Sequence, residues 1–377
     1  MIYKTLLAFF IAAGISQADP SAALEAFAKE RIAAGTAAGI VTEVGDKDRV
    51  LIRDAAGFAD LDKQVPMKED TIFWIASMSK PICGSAVMME VENGSIALSD
   101  AVAKYLPEFE TLKGPDGKLA SITIEQCLSH TSGLQDLTKE EDAAMKDLEQ
   151  LSKVTAAKPL IFQPGTEWKY CQTGICIAAR ILEVVSGKNY PDYLSEHLFV
   201  PLGMKDTTFY PTEAQLPRIA TSYKLTDKGL SPVPVFILHG KSPVSTDHYP
   251  TAAGGLFSTA VDYGKFARMI LNGGEIDGKH YLSPESIKQM TTSHTDGLKA
   301  GFVAGNAYGL GWIAVQEALG VTSPLSEGSF GHGGAYGTQA WIDPVRGRYT
   351  LLMIQRSDLG NGDGSETRAL FQKAAAE

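Results

Sequence analysis

Ser77-Met78-Ser79-Lys80 sets a hydroxyl and an amine three residues apart. On a helix that spacing is one turn, so the two side chains face the same way. A serine hydroxyl becomes a nucleophile when a base takes its proton. A lysine can be that base once burial or nearby positive charge lowers its pKa, and a helix N-terminus adds partial positive charge there. Tyr170-Cys171-Gln172 is a second set, since a buried tyrosine beside a lysine can pass protons between nucleophile and leaving group. Gly331-His332-Gly333-Gly334-Ala335-Tyr336-Gly337 is a third. Its glycines let a substrate approach the backbone closely, and a backbone N–H there can point at a developing oxyanion. Together these groups could carry out nucleophilic catalysis with a base, a proton carrier and an oxyanion site.

Singly, each has a plain explanation. Serine-x-x-lysine arises by chance about once in a chain of this size, and a helix cap with a solvated lysine accounts for it. A core tyrosine accounts for the second set and a turn between strands for the third. His130 invites a serine–histidine–aspartate triad, yet the chain has no G-x-S-x-G elbow; His130 reads as part of a structural turn. His197, His239, His248, His280 and His294 show no clustering. Trp74, Trp168, Tyr336 and Trp341 lie near the three sets, and Tyr336 is the aromatic expected to touch substrate. There is no CxxC and no HExxH, so no metal is implied.

The elements around these residues follow from periodicity. A strand over Thr71–Ile75 leads into Ser77, and Ile82, Ala86 and Met89 continue as a helix that Asn93-Gly94 ends. Helical patterns follow over Ser99–Tyr105, Thr123–Leu128, Lys139–Ala156, Thr173–Val185 and Tyr190–Leu198. Before Ser77 come a helix over Pro20–Gly35 and a hairpin of Gly39–Val44 with Val50–Asp54. After residue 205 the pattern is mixed: helices at Ala260–Leu271, Pro284–Thr291 and Glu366–Ala375, and strands at Gly309–Val315, Gln339–Ile342 and Tyr349–Ile354. This predicts an α/β fold of the α+β type, an antiparallel sheet flanked by helices. Residues 19–76 and 206–377 form the sheet domain, 77–205 an inserted, mostly helical domain, and the site lies at their interface.

The chain has 377 residues, 44% hydrophobic and 21% charged, with a formal net charge of -10. No basic stripe marks it as a nucleic-acid binder. Lys4, the apolar run Thr5–Ile15 and the small residues Ser16-Gln17-Ala18 read as a signal peptide cut after Ala18. The run is well short of the roughly 20 residues that span a bilayer. The mature chain is thus expected in a periplasm or secreted, with no membrane span. Cys83, Cys127, Cys171 and Cys176 show no disulfide framework and read as four buried thiols.

The ordered set of motifs resembles the serine β-lactamase-like hydrolases: class C β-lactamases, D-alanyl-D-alanine carboxypeptidases and family VIII carboxylesterases. Ser129-His130-Thr131-Ser132-Gly133-Leu134, Pro164-Gly165-Thr166, Pro201-Leu202-Gly203-Met204, Gly254-Gly255-Leu256-Phe257-Ser258-Thr259 and Trp341-Ile342-Asp343-Pro344 add framing matches from about residue 70 to 345. The resemblance implies an acyl-enzyme at Ser77, with Lys80 as base and Tyr170 as proton shuttle. It implies an oxyanion hole from the Ser77 and Ala335 N–H groups, and substrate contacts from Gln172, His332, Gly333, Gly334 and Tyr336. No cofactor is implied. Two positions depart from the family. Gln172 stands where asparagine is usual, and His332 where β-lactamases have lysine, so recognition of a substrate carboxylate should be weaker or pH-dependent. Both lean away from an efficient β-lactamase and towards an esterase or a peptidase, and the leading expectation is a carboxylesterase on short-chain esters. A β-lactamase, a D-alanyl peptidase, an acyltransferase and a non-catalytic binder of β-lactams or peptidoglycan fragments remain alternatives.

Overall fold

Apolar residues recurring at every second position build the centre of the protein. In the strand Gly39–Asp46, Ile40 and Val44 join one core with Leu24, Phe27 and Phe371, while Val41 joins another on the opposite face. The strand Arg348–Met353 alternates likewise, Leu352 to the first core and Leu351 and Met353 to the second. The computed structural model describes residues 20–360, 362 and 365–376.

These strands belong to one eight-stranded sheet. Its order is Asn306–Tyr308, Ile313–Val315, Phe330–Gly333, Gln339–Asp343, Arg348–Met353, Gly39–Asp46, Val50–Asp60 and Val65–Pro66. Every pairing is antiparallel. Gly39–Asp46, the first of these strands along the chain, pairs with Arg348–Met353, the last along the chain, Val41 opposite Met353 through Asp46 opposite Arg348. The helices Pro20–Ala33 and Glu366–Ala376 cover one face, with Phe27 and Phe371 rings 5.8 Å apart. The helix Ala260–Leu271 covers the other. It passes so close that a Cβ on Gly264 would lie 2.0 Å from Glu43 Oε1. Glu43 is fully buried and accepts from Arg53 Nε at 2.6 Å and from Tyr349 Oη at 2.7 Å.

All eight strands lie outside the stretch from Ser79 to Leu202, which holds helices Ser79–Glu92, Leu148–Ala156 and Gln172–Ser186 with shorter turns. Every residue from Ser79 to Glu90 is buried, so this helix is a central strut rather than an amphipathic cover. The four cysteines are buried free thiols. No helix among the described residues is long and apolar enough to cross a membrane. The leader expected over residues 1–18 lies outside the described residues.

Several elements depart from the sequence pattern. The expected strand Thr71–Ile75 shrinks to Phe73–Trp74, which pairs with Phe257–Ser258 outside the main sheet. Ser99–Tyr105 keeps one 3-10 turn, Val102–Lys104. Asp100 there binds the Ala97 N–H, Lys104 and the Tyr105 hydroxyl, a local alternative to helix. Lys139–Ala156 breaks at Met145, whose backbone is extended, and restarts where Asp147 caps Gln150. Gly309–Val315 is a bend into the strand Ile313–Val315, with Gly311 at φ +77°.

Candidate active site

Ser77 sits in a single 3-10 turn, Ala76–Met78, directly before the helix Ser79–Glu92. Ala76 has φ +47°, where an L-residue is strained by roughly 1–2 kcal/mol. The surroundings hold it there. Ser79 Oγ donates to the Ala76 carbonyl at 2.7 Å, Trp74 Nε1 donates to the Gly254 carbonyl at 2.7 Å, and the Ile75 N–H donates to the Leu256 carbonyl at 3.0 Å.

Lys80, one turn on, is fully buried. Its Nζ lies 3.0 Å from Ser77 Oγ, donates to the Ala253 carbonyl at 2.7 Å, and stands 4.6 Å from the centre of the Tyr170 ring. Burial lowers its pKa to about 7, against weaker opposing fields from Cys176, Asp136, Cys171 and Cys83. A lysine in that state can accept the serine proton at neutral pH. Burial pushes the Tyr170 phenol up, with a smaller downward pull from Ser77, so it stays protonated.

Tyr170 precedes the helix Gln172–Ser186, whose N-terminus is capped from a distance. Asp136 Oδ1 accepts from the Gln172 N–H at 2.7 Å, the Thr173 N–H at 2.9 Å and Thr173 Oγ1 at 3.2 Å. No sequence pattern marked Asp136, because its partners lie far along the chain. On the facing side, Ala335 follows the strand Phe330–Gly333. Its N–H has no backbone acceptor among the described residues, and Ser77, in a first helical turn, has none within the turn. A Cβ on Gly334 would lie 2.1 Å from Thr338 Oγ1 and 2.5 Å from the Ile75 carbonyl oxygen. The chain itself therefore requires glycine there, to seat this loop against the lead-in to Ser77.

A cavity of about 360 Å³ gathers Ser77, Tyr170, Gln172, His332, Gly333, Gly334 and Ala335 along one side. Phe302, Val303, Ile313, Val321 and Trp341 form an apolar wall. Gln172 also borders a second cavity of about 440 Å³, with Asp136, Phe236, His239 and Tyr249. Tyr336 is not on either lining. It is buried edge-on against Trp74 at 4.8 Å and donates its hydroxyl to the Pro234 carbonyl at 3.0 Å, so the expected substrate contact is corrected to a packing role.

His332 alters the charge argument. It is buried, its Nδ1–H donates to the Gly333 carbonyl at 2.7 Å, and burial with the Lys80 field lowers its pKa to about 3. The ring is neutral throughout the range where free histidine titrates, so the expected pH dependence is removed. The cation that lines this cavity is one the sequence did not mark. Arg368, from the last helix, is buried, donates to the Gly334 carbonyl, and has no acidic partner among the described residues. His130 lies in a turn at φ +64°, and its Nδ1 accepts the Cys171 N–H at 3.2 Å, which leaves it no triad role.

The sequence matches the Beta-lactamase family over residues 24–375, and the chain belongs to that family of serine-acylating hydrolases. Among curated proteins it is similar to Esterase EstB of Burkholderia gladioli, at 27% identity over 373 residues (90% of this chain, 91% of the relative). It is also similar to Penicillin-binding protein 4 of Amycolatopsis lactamdurans, at 32% identity over 295 residues (76% of this chain, 71% of the relative). Among solved structures it superposes on EstCE1, described as a hydrolase with promiscuous acyltransferase activity. That match has a TM-score of 0.81 at 24% identity, covering 95% of this chain and 98% of the other, and shows the shared fold.

Proposed function

We propose that this member of the Beta-lactamase family is an exported carboxylesterase that acts on short-chain esters through an acyl-enzyme at Ser77. One observation carries the reading: a fully buried lysine, its pKa lowered to about 7, stands 3.0 Å from the serine hydroxyl. Neutral Lys80 takes the Ser77 proton as Oγ attacks the ester carbonyl. The N–H groups of Ser77 and Ala335 stabilise the oxyanion. Tyr170 gives its proton to the departing alkoxide and regains one from the Lys80 ammonium. Water then attacks the acyl carbonyl, passing its proton through Tyr170 to Lys80; the bond from Ser77 Oγ to the acyl carbon breaks, Lys80 returns the proton to Oγ, and the acid leaves. Since Tyr170 protonates the leaving group, the alcohol lies in the cavity it lines, and the acyl chain points past Gln172 into the second. The apolar wall and the neutral His332 favour an ester.

Arg368 supports a second reading, a D-alanyl peptide or β-lactam whose carboxylate lies on the leaving-group side. The test compares the chain from Asp19 with its Ser77→Ala variant on p-nitrophenyl butyrate, a chromogenic cephalosporin and a peptide ending in D-alanyl-D-alanine. Ester turnover that vanishes in the variant, with little cephalosporin or peptide cleavage, is the expected result. Fast cleavage of the cephalosporin or peptide would replace the esterase reading with the second one. A folded protein silent on all three would remove both.

A further inference from the structure

Behind Tyr170 lie rings whose polar atoms have not found partners. His130, Tyr308 and His332 are each at most 2% exposed. Tyr308 stands 5.1 Å from His130 and 6.2 Å from His332 between ring centres, and 6.0 Å from Tyr170. Tyr170 packs on both imidazoles, at 4.6 Å and 6.1 Å. His130 Nε2, Tyr308 Oη and His332 Nε2 are all buried without a hydrogen-bond partner among the described residues. So is Trp168 Nε1, whose ring is 5.0 Å from that of Tyr308. Buried polar atoms are nearly always paired, so four orphans in one ring cluster call for a reason.

The backbone decides which atoms donate. His130 Nδ1 accepts the Cys171 N–H, so the neutral ring carries its proton on Nε2. His332 Nδ1 faces the Gly333 carbonyl, which can only accept, so its Nε2 is a bare lone pair. Burial holds both rings neutral. The orphans are therefore one donor, one acceptor and a phenol hydroxyl that is both. A single order satisfies all three: His130 Nε2–H to Tyr308 Oη, and Tyr308 Oη–H to His332 Nε2. A buried water commonly completes such a set where a gap is too long for direct contact, and Trp168 Nε1–H supplies it a further donor.

We propose that His130, Tyr308 and His332, joined in that order through buried water, form a hydrogen-bonded chain that ties the Tyr170 segment to the oxyanion strand, and that Tyr308 is its central positioning residue. The chain begins at the Cys171 amide, next to Tyr170, and ends at the Gly333 carbonyl, two residues before Ala335. It crosses from the helical segment to the sheet, and so fixes the spacing between proton carrier and oxyanion site. The role given to Tyr308 rests on the hydrolase reading above; the chain itself does not.

The test is Tyr308→Phe in the mature protein labelled with [15N]histidine. Loss of the hydroxyl should move the His332 Nε2 resonance downfield, the sign of an acceptor that has lost its donor. The kcat for ester hydrolysis should fall about tenfold with KM nearly unchanged, as for small misplacement of reacting groups. A merely structural tyrosine would lower stability and leave the His332 signal where it was, and that result overturns the chain. A moved signal with unchanged kcat overturns the positioning role alone. If the wild type turns over no ester, the hydrolase reading fails while the spectra still decide the chain. If Tyr308→Phe does not fold, the wild-type spectrum decides: the chain requires an exchange-protected His130 Nε2–H and a His332 that carries its proton on Nδ1, and the opposite tautomer at either ring refutes it.

Discussion

Lys80 reaches its state through geometry that is local at one end and distant at the other. Its neighbour Ser77 comes from the same turn, but the oxygen that accepts from its Nζ is the Ala253 carbonyl. A pKa of about 7 fixes the sign of the pH dependence. Below it the amine is protonated and cannot take the serine proton, so kcat/KM should fall tenfold per unit as pH drops. Above it the rate should level off, and Tyr170, pushed up by burial, adds no loss in the ordinary alkaline range. Stopped assays from pH 5 to 9 check this, and a flat profile across pH 6 to 8 would rule out Lys80 as base. His332 and His130 add no step between, since burial keeps both neutral. At this scale the motif residues were legible, because their types and order are unusual. Arg368 and Asp136 were not: one arginine in an amphipathic helix, or one aspartate after a turn, looks like many others until the fold brings it to its partners.

The elements that position the site meet through missing side chains. Gly84, on the Lys80 helix, has no room for a Cβ, which would lie 2.1 Å from the Leu310 carbonyl oxygen. Gly311 is fitted as tightly, its Cβ position 2.6 Å from the Lys80 carbonyl oxygen. Backbone thus lies on backbone where the helical segment meets the sheet. Gly84→Ala should destabilise the protein by about 2–3 kcal/mol, the usual cost of overpacking. Urea unfolding should show a lower midpoint, and kcat should fall because Lys80 moves with its helix. The same feature bears on the Gly331–Gly337 set, for which a turn between strands is the plain explanation by sequence alone. Glycine has little strand preference, yet Phe330–Gly333 is a paired strand. A Cβ on Gly331 would lie 2.2 Å from the Ala340 carbonyl oxygen, so the glycine is required by close strand packing and not by a bend.

Across the whole molecule, the sheet order was only partly legible. Strands near both ends of the sequence suggested one interrupted sheet, but periodicity does not say which strand pairs with which. Charge in the sheet was equally hidden. Glu43 sits on a strand like any other alternating residue, yet it is buried with Arg53 as its partner and its pKa is raised by desolvation. Arg53→Met should cost about 3–5 kcal/mol at pH 7, because a lone carboxylate then remains buried. That loss should shrink on acidification, since a carboxyl whose folded pKa lies above its unfolded value gains stability as it takes up a proton. Thermal unfolding of the variant at pH 7 and pH 5 checks the sign; an equal loss at both would mean that Glu43 is not the seat of the effect.

The pairing of Gly39–Asp46 with Arg348–Met353 has a consequence for how the chain comes into being. A ribosome that has reached Val303 has made Ser77, Lys80 and Tyr170 but neither Ala335 nor the strand that the N-terminal hairpin waits for. The nascent polypeptide therefore holds a serine, an amine and a phenol with no scaffold to bring them together. The site can assemble only when synthesis is nearly finished, once the Ala335 loop and the strand that pairs with Gly39–Asp46 have been made.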